Sequence, residues 1–219
     1  DTKLPVLVYI HGGSNRAGWS FEPNYIGEKL AQKGTIVISV AYRLGVFGFY
    51  SHPELSVSNF ALLDVIESLK WIQENISKVG GDPNNVTISG ESAGATIIEH
   101  LIVSPLSKNL FNRAIHQSAG WSIADSEIIN DDVHSKLSNQ LTIELLNRSN
   151  FENNLNDMRK IDAIKLLKKA EEVFGTTGYY SVIDGYTITE SVRKSFELGN
   201  INHVDLIIGS NKDEELMYL

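Results

Sequence analysis

The stretch V-T-I-S-G-E-S-A-G-A, residues 86–95, decides how this chain is read. Val86 to Ser89 is short and β-branched, and reads as a strand. Ala93 to Val103 is an apolar run that reads as a helix directly behind it. Between them Gly90-Glu91-Ser92-Ala93-Gly94 forms a G-x-S-x-G turn. Such a strand–turn–helix elbow holds its serine in a strained backbone conformation and pushes the hydroxyl into the open. A side chain at position 90 or 94 would collide with the neighbouring helix and strand, which accounts for the glycines. A bare G-x-S-x-G is weak evidence, because five such residues also occur in ordinary tight loops. The strand before and the helix after make Ser92 a candidate nucleophile.

Outward from the elbow, strands alternate with helices. Leu4 to His11 is a nearly continuous apolar run, as expected for a strand buried on both faces. Tyr25 to Gln32 reads as a helix stopped by Gly34, Thr35 to Val40 as a second strand, and Arg43 to Ser58 as a long loop. Ser58 is placed to cap a helix running to Ile76, with Leu62, Ile66, Leu69, Ile72 and Ile76 on one face. Gly80 to Pro83 reads as a turn and Arg113 to Gln117 as a fourth strand. From Asp131 to Phe174 the pattern is helical, with Val133, Leu137, Leu141 and Leu145 on one stripe and Ile161, Ile164, Leu167 and Ala170 on another. Val204 to Ile208 reads as a last short buried strand. This alternation predicts an α/β fold, a mostly parallel sheet with helices on both faces and a helical segment inserted between strands. Ligands in such sheets sit beyond the carboxyl ends of the strands.

Composition narrows the partners. The 219 residues carry 19 Lys and Arg against 27 Asp and Glu, a formal charge of −8. That acidic balance argues against nucleic acid, which requires a basic face. No apolar run reaches the ~18 residues of a membrane span, and no charged-then-apolar leader opens the chain. The chain has no cysteine, which excludes a thiol nucleophile, a disulfide framework and a Cys-ligated metal. It does not assign a compartment.

Two further segments fall at predicted strand ends. His11-Gly12-Gly13-Ser14 follows the first strand. A nucleophilic serine needs amide donors aimed at the oxyanion of its tetrahedral intermediate, and glycines let backbone approach a substrate closely. The remaining donor of an elbow enzyme is the amide after the nucleophile, here Ala93. Asp213, Glu214 and Glu215 follow the last strand, in the chain order serine then acid expected of a hydrolase triad. Spacing alone does not choose among the three.

On these residues the chain resembles the type-B carboxylesterase family, the cholinesterase-like branch of the α/β-hydrolases. Pro5 to Gly13, Ala41 to Phe49, Leu62-Leu63-Asp64 with Leu69-Lys70-Trp71-Ile72, Gly80 to Ala95, Ser104 to Ser107, Phe111 to Ile115 and Gly209 to Glu214 all match the family pattern. The resemblance implies Glu214 as the triad acid and the amides of Gly13, Ser14 and Ala93 as the oxyanion hole. Here Ser14 stands where the family has a third glycine, Asn15 where it has an aromatic and Glu215 where it has a glycine. The Arg43–Asp64 pair is expected to be a buried structural salt bridge. Glu91, Trp19 and Trp121 are candidates for the substrate pocket, with Phe21, Tyr25, Tyr179 and Tyr180 able to serve there or in the core.

The general base is absent from this pattern. All six histidines (His11, His52, His100, His116, His134 and His203) precede Glu214, whereas the base of a serine–acid–histidine order follows it. The family histidine lies beyond the acid, and family strands lie upstream of Leu4. Residues 1–219 are therefore expected to be one incomplete α/β-hydrolase catalytic domain, lacking N-terminal strands and the histidine segment. A mostly helical insertion is expected over residues 125–200. The implied activity is serine carboxylic-ester hydrolysis on a small-molecule ester, with no metal and no cofactor. Two alternatives stand beside it. One is a catalytically inactive adhesion member that binds a protein partner, against which intact Ser92 and Glu214 weigh; the other is an amidase or thioesterase using the same machinery. Lys165, Lys168 and Lys169 read as a solvated helix face. Asn75, Asn85 and Asn147 fall in N-x-[ST] patterns.

Overall fold

A computed structural model describes residues 3–119, 131–147 and 155–214, without the side chains of residues 131, 132 and 134. In chain order the elements are β1 (Leu4–Ile10), α1 (Glu28–Ala31), β2 (Ile36–Val40), α2 (Gly45–Phe49), α3 (Phe60–Asn75), β3 (Gly81–Glu91), α4 (Ala93–Val103) and β4 (Arg113–Gln117). There follow α5 (Asp131–Leu146), α6 (Leu155–Met158), α7 (Ala163–Phe174), α8 (Val192–Leu198) and β5 (Asp205–Gly209). The strands form one sheet in the order β2-β1-β3-β4-β5, and every pairing is parallel. All five carboxyl ends therefore point to one edge, where the segments after Ile10, Glu91, Gln117 and Gly209 converge.

Burial explains the elements. Val6, Val8 and Ile10 of β1 are buried while Leu7 and Tyr9 between them are half-buried, so the strand is more deeply covered on one face. Leu62, Ile66, Leu69 and Ile72 of α3 form one stripe at helical spacing and pack with Ile88, Ile97 and Ile98 in a continuous core. That core extends through Phe49, Phe174 and Tyr179 to Leu141 and Ala170, so the helical segment and the sheet share it. Among the described residues no helix is long and apolar enough to cross a membrane.

Several expectations are corrected. The presumed loop 43–58 contains α2, a five-residue helix whose Val46 and Phe49 are core residues. Burial forms it against the poor helix propensity of its two glycines. The helix expected over Tyr25 to Gln32 is reduced to a 3₁₀ turn at Pro23–Tyr25 and the four-residue α1, neither with a buried residue to stabilise more. Ser58 does not cap α3. The cap position is Asn59, whose buried amide instead bonds the Val182 backbone and the Thr187 hydroxyl. On α7, Ile164 and Leu167 are exposed, and the helix buries Ala170 and Phe174. The last strand, β5, is exposed along its whole length. The Arg43–Asp64 bridge is bidentate, at 2.8 and 2.7 Å, but half-exposed rather than buried.

α4 is the most deeply enclosed helix and includes His100, 2% exposed, with neither ring nitrogen hydrogen-bonded among the described residues. Burial pushes its pKa from the ordinary 6.5 down to about 4. The folded chain holds His100 neutral, whereas the unfolded chain takes up a proton as pH falls below its ordinary value. Its effect on stability is therefore absent above pH 6.5 and becomes progressively unfavourable as pH falls towards 4. The accumulated loss is about 3 kcal/mol. Replacing His100 by Leu is expected to flatten the pH dependence of stability across that window, as measured by urea unfolding at a series of pH values.

Candidate active site

Ser92 occupies the junction between β3 and α4 with φ 55° and ψ −123°. For a residue with a side chain this is a costly backbone, on the order of 1–3 kcal/mol. The surroundings hold it there. The Ser92 amide donates to the Gln117 carbonyl at 3.0 Å, and its carbonyl accepts from the Thr96 amide at 3.0 Å. The two flanking glycines do what the sequence reading requires of them. A Cβ on Gly94 would lie 2.1 Å from the Ile10 carbonyl oxygen, and one on Gly90 would lie 2.7 Å from the Gly94 carbonyl.

The loop after β1 comes directly against this elbow. A Cβ on Gly12 would lie 2.7 Å from the Glu91 carbonyl oxygen and 3.2 Å from the Ser92 Cβ. Beyond it Gly13, Ser14 and Asn15 all have positive φ, at 106°, 55° and 58°. The Arg16 and Ala17 amides both donate to the Gly13 carbonyl at 3.0 Å, closing the turn. Among the described residues, the amides of Gly13, Ser14 and Ala93 donate to no other group. Gly13 and Ser14 are exposed, and Ala93 is the first residue of α4, so its amide belongs to the positive end of that helix. His11 lies beneath the loop, 1% exposed and stacked on Tyr42 with centroids 4.4 Å apart. Its Nδ1 lies 2.8 Å from the Gly12 carbonyl, so that nitrogen carries the proton.

Glu214 lies just beyond β5. Its Oε1 accepts from the Ser118 hydroxyl and, at 2.6 Å, from the Asn211 amide. These bonds, the Ser118 hydroxyl first, hold the Glu214 carboxyl below its ordinary value. Ser118 is the residue the sequence reading missed, although it lies in the segment following β4. Its amide donates to the Gly209 carbonyl at 2.8 Å, which ties the two strand ends together. Glu91 shifts the other way. Burial raises its pKa, and the negative charge of Glu214 adds to the shift. The two carboxyls at this edge thus shift in opposite directions, Glu214 down and Glu91 up.

The remaining candidates separate. Trp19 is 57% exposed, and its backbone amide bonds the Glu22 carboxylate at 3.2 Å. Tyr179 is a core residue stacked on Phe174. Trp121 and Glu215 lie outside the described residues, as does the side chain of His134. No described histidine bonds Ser92. His116 is buried and paired with Glu99 at 2.6 Å, and His52 is near Glu54.

Known proteins share this fold. The carboxylesterase family profile matches residues 1–219. The chain is 36% identical to a para-nitrobenzyl esterase of Bacillus subtilis over 98% of its own length and 45% of the relative's. It is 33% identical to a fumonisin B1 esterase of Sphingopyxis macrogoltabida, over 96% of this chain and 39% of that one. A solved structure of a PNB esterase superposes with a TM-score of 0.86 at 34% identity, covering 100% of this chain and 47% of that one. The chain thus spans less than half the length of each of these proteins.

Two outcomes follow from the geometry. Gly94→Ala drives a Cβ into the Ile10 carbonyl and is expected to cost about 2 kcal/mol or more in urea unfolding. Ser118→Ala removes the larger of the two bonds to Glu214. Carbon-detected NMR titration is expected to show the Glu214 carboxyl moving up, with a remaining depression from the Asn211 amide. In the unmutated chain the favoured anion adds stability above the ordinary carboxylate range, lost as pH falls through the lowered Glu214 value.

Proposed function

The chain belongs to the carboxylesterase family, and from that premise we propose that it forms part of a serine carboxylic-ester hydrolase acting through an acyl-enzyme. The observation that carries this reading is the strained Ser92 backbone set against a loop whose Gly13 and Ser14 amides, with that of Ala93, have no other acceptor among the described residues.

In this mechanism the Ser92 Oγ attacks the ester carbonyl carbon, and its proton passes to a histidine from outside residues 1–219. The carbonyl oxygen becomes an oxyanion that accepts from the Gly13, Ser14 and Ala93 amides. Collapse of the tetrahedral intermediate breaks the bond to the alkoxy oxygen, which takes the proton from the histidine and leaves as the alcohol. Water then attacks the acyl-enzyme with the same histidine as base, releasing the acid and free Ser92. Glu214 orients the histidine and stabilises its cation. The bonds from Ser118 and Asn211 suit that role, because they keep Glu214 ionised.

The test uses the full-length protein. An organophosphonate probe is expected to label Ser92, and Ser92→Ala to abolish labelling and reduce turnover of a p-nitrophenyl ester to the residue left by binding. Glu214→Gln is expected to lower kcat by orders of magnitude; the neutral replacement of a triad carboxylate in a serine protease costs about 10⁴-fold. Asp213→Asn, at the exposed neighbour, is expected to change it little. A label on another serine, or equal small losses at 213 and 214, would reject the assignment.

A further inference from the structure

The turn that presents the Gly13 and Ser14 amides is not self-supporting. Three consecutive positive φ values, two of them on residues with side chains, cost on the order of 1–3 kcal/mol for each strained residue. Within the loop, only the two bonds to the Gly13 carbonyl oppose that strain. The rest of the support comes from the Gly45 amide and from partners more than 150 residues away in sequence. The Asn15 Nδ2 donates to the Tyr179 carbonyl at 2.8 Å, and the Asn15 carbonyl accepts from the Gly45 amide at 2.7 Å. The Arg16 Nη1 pairs with Glu171 Oε2 at 2.7 Å, and its Nη2 donates to the Gly175 carbonyl. The guanidinium also lies over the Tyr179 ring, 5.1 Å from its centroid. Tyr179 is 1% exposed, stacked on Phe174 at 4.7 Å, and donates from its hydroxyl to Glu171 Oε1 at 2.9 Å.

We propose that Arg16, Glu171 and Tyr179 are positioning residues that clamp the Gly13–Ala17 turn to the end of α7 and so aim the oxyanion amides. This inference rests on the proposed function for its catalytic consequence, but the clamp itself is a matter of geometry. Glu171 divides its two oxygens, one to the guanidinium and one to the phenol, and so fixes the two groups relative to each other. An isolated pair this exposed, 29% for Arg16 and 42% for Glu171, would contribute little. Here the guanidinium is held at three points, by a carboxylate, a carbonyl and a ring face. The planar fork of arginine meets all three at once, and a lysine does not. Because the turn is short, a shift at Arg16 is transmitted to Ser14 two residues away. The amides of an oxyanion site stabilise the transition state only when already aimed at it.

The test compares Arg16→Met, Glu171→Gln, the double variant and Arg16→Lys in the full-length protein. Four quantities are measured: kcat, KM, inhibition by a trifluoromethyl ketone that forms a tetrahedral adduct on the serine, and hydrogen exchange of the Arg16 and Ala17 amides. Each single variant is expected to lower kcat about tenfold, less than the ~10²–10³ lost with a whole oxyanion donor. The ketone is expected to weaken by the same factor while KM stays within about twofold. The two amides are expected to exchange faster. The double variant is expected to lose less than the product of the two single losses, because the two share the Arg16–Glu171 contact. Arg16→Lys should recover only part of the loss. A fall in melting temperature with kcat, ketone affinity and exchange unchanged would overturn the proposal. So would unchanged exchange alone, whatever the kinetics. If the unmutated protein has no Ser92-dependent turnover, the functional reading fails, and the exchange measurement still decides the clamp.

Discussion

The first turn of α4 rests on the last carbonyls of β1, and that approach sets the arrangement of the whole edge. It is possible only because residue 94 has no side chain, since a Cβ there would lie 2.1 Å from the Ile10 oxygen. With α4 seated so low, β3 must turn into it within a single residue, and Ser92 takes the strained conformation. The same seating brings the chain leaving β1 across the elbow, so that Gly12 meets Ser92. Stabilisation comes from behind: ten of the eleven residues of α4 are buried. At roughly 1.5–3 kcal/mol for each large apolar side chain, that burial outweighs the cost at Ser92. The strain persists because the packing over-determines it.

Electrostatics at the edge follow from hydrogen bonding at one carboxyl and from burial at the other. Glu214 and Glu91 are chemically the same and lie close enough to affect each other, yet they shift in opposite directions. One has a hydroxyl and an amide donating to it; the other is partly desolvated and faces a like charge. In a site handling an oxyanion beside a cationic base, a fixed anion is useful at one place only. A second full charge nearby would raise the energy of the oxyanion. Hydrogen bonding at Glu214 and burial at Glu91 move the two carboxyls apart in that sense.

Much of this was legible in residues 86–95 and in Leu4 to Ser14, because elbow chemistry depends on local spacing. The elbow, its glycines and α4 from Ala93 to Val103 stand where the sequence puts them, but β3 starts at Gly81, inside the stretch Gly80 to Pro83 that reads as a turn. What stayed hidden depends on partners remote in sequence. Ser58 reads as the cap of α3, but the cap position falls to Asn59, whose buried amide is claimed by Val182 and Thr187. Ile164 and Leu167 match a helical period, yet the face that packs is set by where α5 lies. Ser118 carries no signal of its own; only the pairing of β4 with β5 brings its hydroxyl to Glu214. Arg16 likewise carries no signal of its own; α7 beside it supplies its partners.

The β4–β5 pairing joins strands separated by everything from Ser118 to Val204, including the whole helical segment. It closes a far longer loop than β1 with β2 or β3 with β4. Closure entropy grows with loop length, and non-local pairings of this kind lie on the slow side of folding. The elbow belongs to a unit of β1, β3 and α4, whereas Glu214 is carried in by the pairing of β5 with β4. Ser92 and Glu214 thus stand on pairings of very different loop length, one local to the elbow and the other closed across the whole helical segment.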